Sequence, residues 1–161
     1  MQMLDASSII YAWDNYPEPQ FPPLWRWLGT QIRIKRLTIS QCAFDEVKKK
    51  IPECASWLVL HNIEIYDIND QILQVALQIK TLIKVDAENY NPKGVGANDV
   101  LIIATARVLG ASLLSNEGVQ ALVPTNLSRC KIPAVCAMPA VRVECMSFLD
   151  YIKRSKAVYE R

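Results

Sequence analysis

Four carboxylates carry the chemical interest of this chain: Asp5, Glu46, Asp99 and Glu117. Asp5 closes a short apolar run at residues 2–4. That is where a strand would end, and ligands of open parallel sheets bind beyond the carboxyl ends of the strands. Glu46 lies in a helical stretch that follows a second β-like run at residues 36–40. Asp99 opens an apolar helix behind a glycine-containing loop, and Glu117 comes just after a short apolar run at 112–115. Elements of this kind could bring all four to one edge of a sheet. Carboxylates crowded in a cleft repel one another, and at least one pKa rises unless something compensates. A divalent cation removes that penalty, and Mg²⁺ and Mn²⁺ prefer oxygen donors. Such an ion activates water and stabilises charge on a phosphodiester. With His61 as the one histidine, acid–base work has no histidine array to rest on.

Each acid also has a plain structural reading. Asp5 could be a turn residue or a helix N-cap. Asp99 could be a cap favoured by the helix dipole. Glu46 could be a solvated residue beside Lys48, Lys49 and Lys50, with Asp45 as a rival. Neighbours on a helix point about 100° apart, so only one of Asp45 and Glu46 faces a cleft. Glu117 could be a first-turn glutamate. Their joint order along the chain is more specific than any one of them. An aspartyl-nucleophile phosphatase built on Asp5 is a poorer fit, because Ser7 stands where a second Asp would serve as acid–base.

The elements that would position these acids are legible in outline. With 161 residues and 51% hydrophobic content, the chain fits one domain, 1–161, with a substantial core. Residues 2–4 read as a strand, then a turn at Ser7 and Ser8 and a short helix; 24–32 as a helix; 36–40 as β-like; 41–50 and 53–60 as helices. Residues 63–68 read as a weak strand, 70–85 as an amphipathic helix and 87–96 as a loop. Residues 98–109 form the clearest helix, capped by Asn98 or Asp99 and closed by Gly110. A buried strand at 112–115, proline loops at Pro124, Pro133 and Pro139, a β-like run at 140–143 and a helix at 146–155 complete the reading. Strands alternating with helices predict a mostly parallel sheet covered on both faces.

Several classes are excluded or disfavoured. A net charge of +2 gives no bulk attraction to nucleic acid or membrane. The five dispersed cysteines form no C-x-x-C pair, which argues against zinc and for reduced, buried thiols in a cytoplasmic protein. The N-terminus has no basic segment of a signal peptide. The most apolar window, 100–114, is too short for a bilayer, which takes about twenty residues.

Against this background the chain resembles PIN domains. Leu4-Asp5-Ala6-Ser7 is similar to the opening motif of that family. The stretch Ala97-Asn98-Asp99-Val100-Leu101-Ile102-Ile103-Ala104-Thr105-Ala106 is similar to its third-acid helix, and Leu113-Leu114-Ser115-Asn116-Glu117 to its strand ending in Thr/Ser-x-Asp. Glu46 matches the second acid. The resemblance runs from Met3 to about Leu149, and Tyr11-Ala12-Trp13-Asp14-Asn15-Tyr16-Pro17 with Phe21-Pro22-Pro23 resembles a prokaryotic branch. It implies a three-layer α/β/α fold and Mg²⁺- or Mn²⁺-dependent endoribonuclease activity. It further implies a toxin–antitoxin role of the VapC type, with RNA as substrate, an antitoxin as partner and often a homodimer. By this carry-over Asp5, Glu46, Asp99 and Glu117 hold the metal, and Ser7 and Ser115 support them by hydrogen bonding. The fourth position departs from the commoner Asp; the longer Glu117 would bind through water or reach a second ion. The alternative is a PIN-like module that binds nucleic acid or protein without cutting.

Two surfaces could meet RNA. Arg33, Lys35 and Arg36 form one basic stretch and Lys48, Lys49 and Lys50 another, each otherwise a solvated surface. Trp13, Tyr16, Trp25 and Trp27 could stack on bases, although Trp25 and Trp27 read better as core or interface anchors. His61 reads as a helix-end or surface residue.

Overall fold

A computed structural model describes residues 1–160. Its centre is a five-stranded sheet: β1 (Gln2–Leu4), β2 (Leu37–Ser40), β3 (Glu64–Tyr66), β4 (Ser112–Leu114) and β5 (Cys145–Met146). The order is β3-β2-β1-β4-β5, and every neighbouring pair runs parallel. Met3 sits opposite Thr38 on one side and Leu113 on the other. The middle strands are buried on both faces: in β2 even Thr38 and Ser40, which alternate with Leu37 and Ile39, are closed off from solvent.

The helices are α1 (Ala6–Asn15), α2 (Pro22–Arg33), α3 (Gln41–Lys50), α4 (Pro52–Leu60), α5 (Asp70–Leu82), α6 (Ala97–Leu109), α7 (Ile132–Ala137) and α8 (Phe148–Ser155). The chain steps outward from β1 to β3, then crosses back to β4 and β5. Right-handed crossovers place α1–α4 on one face and α5–α7 on the other, and α8 returns to pack on α1. This is the expected three-layer α/β/α architecture around a parallel central sheet. The direction of stepping reverses between β1 and β4, and the crevice beyond their carboxyl ends is the topological switch point of the sheet.

Local chemistry sets the helix limits. Ser40 accepts a hydrogen bond from Ala43 N at 3.2 Å, Asn69 from Ile72 N at 2.9 Å and Ser147 from Asp150 N at 3.1 Å, each capping a new helix. Gly110 ends α6 at φ 63°, the left-handed conformation that glycine adopts without a Cβ penalty. Trp25 is buried, donates Nε1–H to the Tyr16 carbonyl, and meets Trp13 and Trp57 edge-on at 5.3 and 4.8 Å. Trp27 leans on Tyr151 and Tyr159. These are core anchors, as read for Trp25 and Trp27, and Trp13 and Tyr16 are engaged in the same packing. His61 ends α4, directs Nδ1 at the Trp57 carbonyl and lies on the Trp57 ring. All five cysteines are free thiols.

Three expectations fail. Helix α1 begins at Ala6 with no intervening turn, because Ser7 and Ser8 are absorbed into its first turn. Pro133 lies inside α7 rather than in a loop; in a first turn its missing N–H costs no helical bond. Residues 140–143 are not a strand. Arg142 has φ 49°, which breaks extended geometry, and the edge strand forms two residues later at Cys145.

Candidate carboxylate site at the sheet switch point

Asp5 stands at the N-cap position of α1, yet its side chain does not cap the helix. Ser8 hydroxyl donates to the Asp5 carbonyl at 2.7 Å, and the carboxylate turns the other way. It is 3% exposed. Ser7 Oγ donates to Asp5 Oδ2 at 2.5 Å and Ser115 Oγ to the same oxygen at 3.2 Å. Among the described residues Oδ1 has no such donor, so it is the oxygen left for something else. The plain capping reading therefore fails for Asp5.

The second wall is the loop after β4. Ser115 N donates to the Met146 carbonyl at 2.9 Å, which ties the loop to β5. Asn116 N donates to Ser7 Oγ at 2.9 Å, and Asn116 Oδ1 accepts from Phe148 N at 2.9 Å. Asn116 thus clamps α1 to α8 beside the site. Sequence reasoning assigned it no role; its one signal was a turn-forming residue directly behind a strand. Glu117 projects toward α7, and its Oε2 accepts from Ile132 N at 3.0 Å.

Asp99 does take part in capping, but not as expected. The N-cap of α6 is Gly96, and Asp99, three residues on, accepts from Gly96 N at 2.9 Å through Oδ2. Neither Asn98 nor Asp99 occupies the cap itself. A glycine there has no side-chain oxygen to give, so the acid of the first turn satisfies the free N–H instead.

Asp5 and Asp99 both feel the acids around them. Burial raises the Asp5 pKa most; Ser7 and Ser115 oppose that rise, and the charges of Glu117 and Glu46 add to it. Burial also pushes Asp99 up, to about 6, against the Gly96 hydrogen bond and with the charges of Glu117, Asp5 and Glu46 adding. Of the two neighbouring acids of α3, Glu46 and not Asp45 is the one whose charge reaches Asp5 and Asp99. Asp45 is exposed, accepts from Gln41 Nε2 at 2.8 Å and acts on Cys42 instead. Among the described residues no cation pairs with Asp5, Asp99 or Glu117; Glu46 alone has one, Lys50 Nζ at 3.2 Å.

The gathering is loose. Among the described residues no three acids, histidines or cysteines stand close enough to form a finished metal cage. Glu46 is held by Lys50 and Glu117 by the Ile132 N–H at the start of α7. The donor set itself, carboxylate oxygens with uncompensated negative charge, is the chemistry that hard divalent cations take.

The basic stretches separate. Arg33, Lys35 and Arg36 are exposed where α2 hands over to the start of β2, at the amino edge of the sheet, opposite the acids. Lys48, Lys49 and Lys50 are exposed in the last turn of α3, the helix that carries Glu46. Among the described residues no helix is long and apolar enough to cross a membrane.

No curated protein matches the sequence. A chain in the crystal structure of VapBC2 from Rickettsia felis bound to a DNA fragment from their promoter shares the fold, with a TM-score of 0.53 at 20% identity, over 91% of this chain and 97% of that one. At that identity the likeness is one of fold. A family model described as a domain of unknown function, DUF4411, matches residues 2–159, and the chain belongs to that family.

Proposed function

We propose that this protein is a PIN-like, metal-dependent endoribonuclease, the toxin of a toxin–antitoxin pair, with its reaction centre at Asp5, Glu46, Asp99 and Glu117. The observation that carries the reading is electrostatic: two buried or half-buried aspartates at the sheet switch point, both pushed up by burial and by the charges of Glu117 and Glu46, have no cationic partner among the described residues. Such an arrangement costs stability unless a ligand of opposite charge repays it. Mg²⁺ or Mn²⁺ bound there would neutralise the carboxylates and supply Lewis acidity toward a phosphodiester.

The chain's own groups have separate tasks. Asp5 presents Oδ1 while Ser7 and Ser115 fix its plane through Oδ2. Asp99 presents its second oxygen while Gly96 N holds the first. Glu46 and Glu117 close the cluster from α3 and from the loop after β4. Ser7 and Ser115 support the site as hydrogen-bond donors. Lys49, about one turn from Glu46, is placed to meet the phosphates of an RNA strand. An antitoxin partner, a homodimer and a cytoplasmic setting accompany this reading. The solved structure of similar fold, a VapBC2 assembly on promoter DNA, lends it support through fold alone.

The test is cleavage of RNA by the purified protein with Mg²⁺ or Mn²⁺, beside Asp5→Asn and Asp99→Asn. Cleavage by wild type that both variants lose is expected; equal cleavage by all three sinks the proposal. A second reading, a PIN-like module that binds nucleic acid or a protein partner without cutting, is favoured by one observation: Glu46 and Glu117 are already occupied by Lys50 and Ile132 N. Calorimetric titration with Mn²⁺ separates the two. Binding that Asp5→Asn abolishes counts against the second reading.

A further inference from the structure

Two of the five thiols lie side by side. Cys136, in α7, is 1% exposed, and the thiol of Cys145 in β5 lies near enough to act on it. Cys145 is half-buried and so open to small reagents, whereas Cys136 is shut off from solvent. The backbone supports the pairing: α7 packs on β5, and Val143 N donates to the Cys136 carbonyl at 3.1 Å, two residues before Cys145. Among the described residues no other cysteine has a thiol neighbour acting on it. Cys54 and Cys130 are wholly buried, and Cys42 faces Asp45.

We propose that Cys136 and Cys145 are a reversible disulfide site, in which the half-exposed Cys145 is oxidised first and the buried Cys136 resolves it. Hydrogen peroxide is the oxidant. The Cys145 sulfur is oxidised to a sulfenic acid as the O–O bond breaks, and water leaves. The Cys136 sulfur then attacks the Cys145 sulfur and the S–O bond breaks. The Cys136 proton leaves with the departing hydroxyl as a second water. In sum, two thiols and one peroxide give one disulfide and two waters. The Cys136 thiol is held far up from its ordinary pKa, by the Cys145 thiol first, then by burial and by the charges of Cys145, Asp5 and Glu117. The second step is therefore the slow one.

The position of this pair gives the bond its interest. Helix α7 begins at Ile132, whose N–H holds Glu117, and β5 holds Ser115 through the Met146 carbonyl. A Cys136–Cys145 bond staples together the two supports of the loop that carries Ser115, Asn116 and Glu117. The inference does not depend on the nuclease reading.

The experiment is peroxide treatment of the whole protein, alkylation of the remaining thiols, and tryptic peptide mapping without reductant. Cleavage after Arg129, Lys131, Arg142 and Lys153 puts Cys130, Cys136 and Cys145 on separate peptides, and Cys42 and Cys54 fall on two others. The expected result is loss of two of the five thiols and a cross-link between Ile132–Arg142 and Val143–Lys153. Dithiothreitol should restore both thiols. Cys136→Ser should retain a sulfenic acid at Cys145 that a cyclic 1,3-diketone traps. Full alkylation of both peptides after peroxide, a bond from either cysteine to a different one, or a covalent dimer would each overturn the proposal. Absence of the trapped adduct in Cys136→Ser would overturn the order of oxidation.

Discussion

Replacing Asp99 by Asn should stabilise the metal-free protein at neutral pH while removing its response to metal. The folded-state pKa of Asp99 is raised to about 6 from 3.8. Between those values the native state holds a proton that the unfolded chain has released, so stability falls as pH rises from about 4 to about 6. The favourable contribution is fully present below about 4 and is gone above the folded pKa. Each unit is worth about 1.36 kcal/mol, and Asp99 is half-buried, so a discounted penalty near 2 kcal/mol at pH 7.5 is the working figure. Asn keeps an acceptor for Gly96 N and carries no charge. In a chain of this size that corresponds to about 4–8 °C in melting temperature. The assay is thermal unfolding in EDTA at pH 5.0 and 7.5, for wild type and Asp99→Asn. The wild-type deficit relative to the variant should be about half its full value at pH 5.0 and near its full value at pH 7.5. Mn²⁺ at about a hundred times its Kd should then raise wild-type stability by about 2.7 kcal/mol and leave the variant unchanged. If Asp99→Asn melts below wild type in EDTA at pH 7.5, the repulsion argument is wrong.

Three further outcomes follow from the same geometry. Ser7→Ala removes one of the two donors to Asp5 Oδ2 and the acceptor for Asn116 N; Mn²⁺ affinity measured by calorimetry should fall about 10- to 100-fold. Glu46→Gln should weaken Mn²⁺ binding by a similar factor, whereas Asp45→Asn should leave it unchanged, because only Glu46 acts on Asp5 and Asp99; equal losses would show that the face of α3 is misassigned. Gly110→Ala forces a side chain into φ 63° and should cost about 1–2 kcal/mol in a urea titration with an unchanged m-value.

That Asp5 and Glu117 come just after strands was readable in the sequence, because each follows a short run of strand-forming residues. Gly110 marked the end of α6 for an equally local reason. Helix α7 was hidden by Pro133, since a proline that breaks a helix interior and one that opens a helix look alike until the first turn is located. The strand at Cys145–Met146 was hidden by Val141 and Val143, which alternate as a strand would but are buried around a left-handed turn at Arg142. The choice between Asp45 and Glu46 depends on how α3 is rotated against the sheet. Burial of Ala43, Phe44 and Val47 sets that rotation, and no local pattern does. Asn116 gains its role only from Ser7 and Phe148, partners 109 and 32 residues away.

The bond from Ser115 to Asp5 closes a loop of 110 residues. During synthesis, at about 5–20 residues per second, Asp5 therefore waits roughly 5–20 s before the loop that completes its surroundings exists at all. Strand β1 occupies the middle of the sheet and has neither β4 nor the Ser115 hydroxyl until most of the chain has been made. The acids thus meet late. A ribosome-bound chain carries Asp5 and Glu46 but no assembled cluster, so whatever the cluster does is deferred to the last stage of folding.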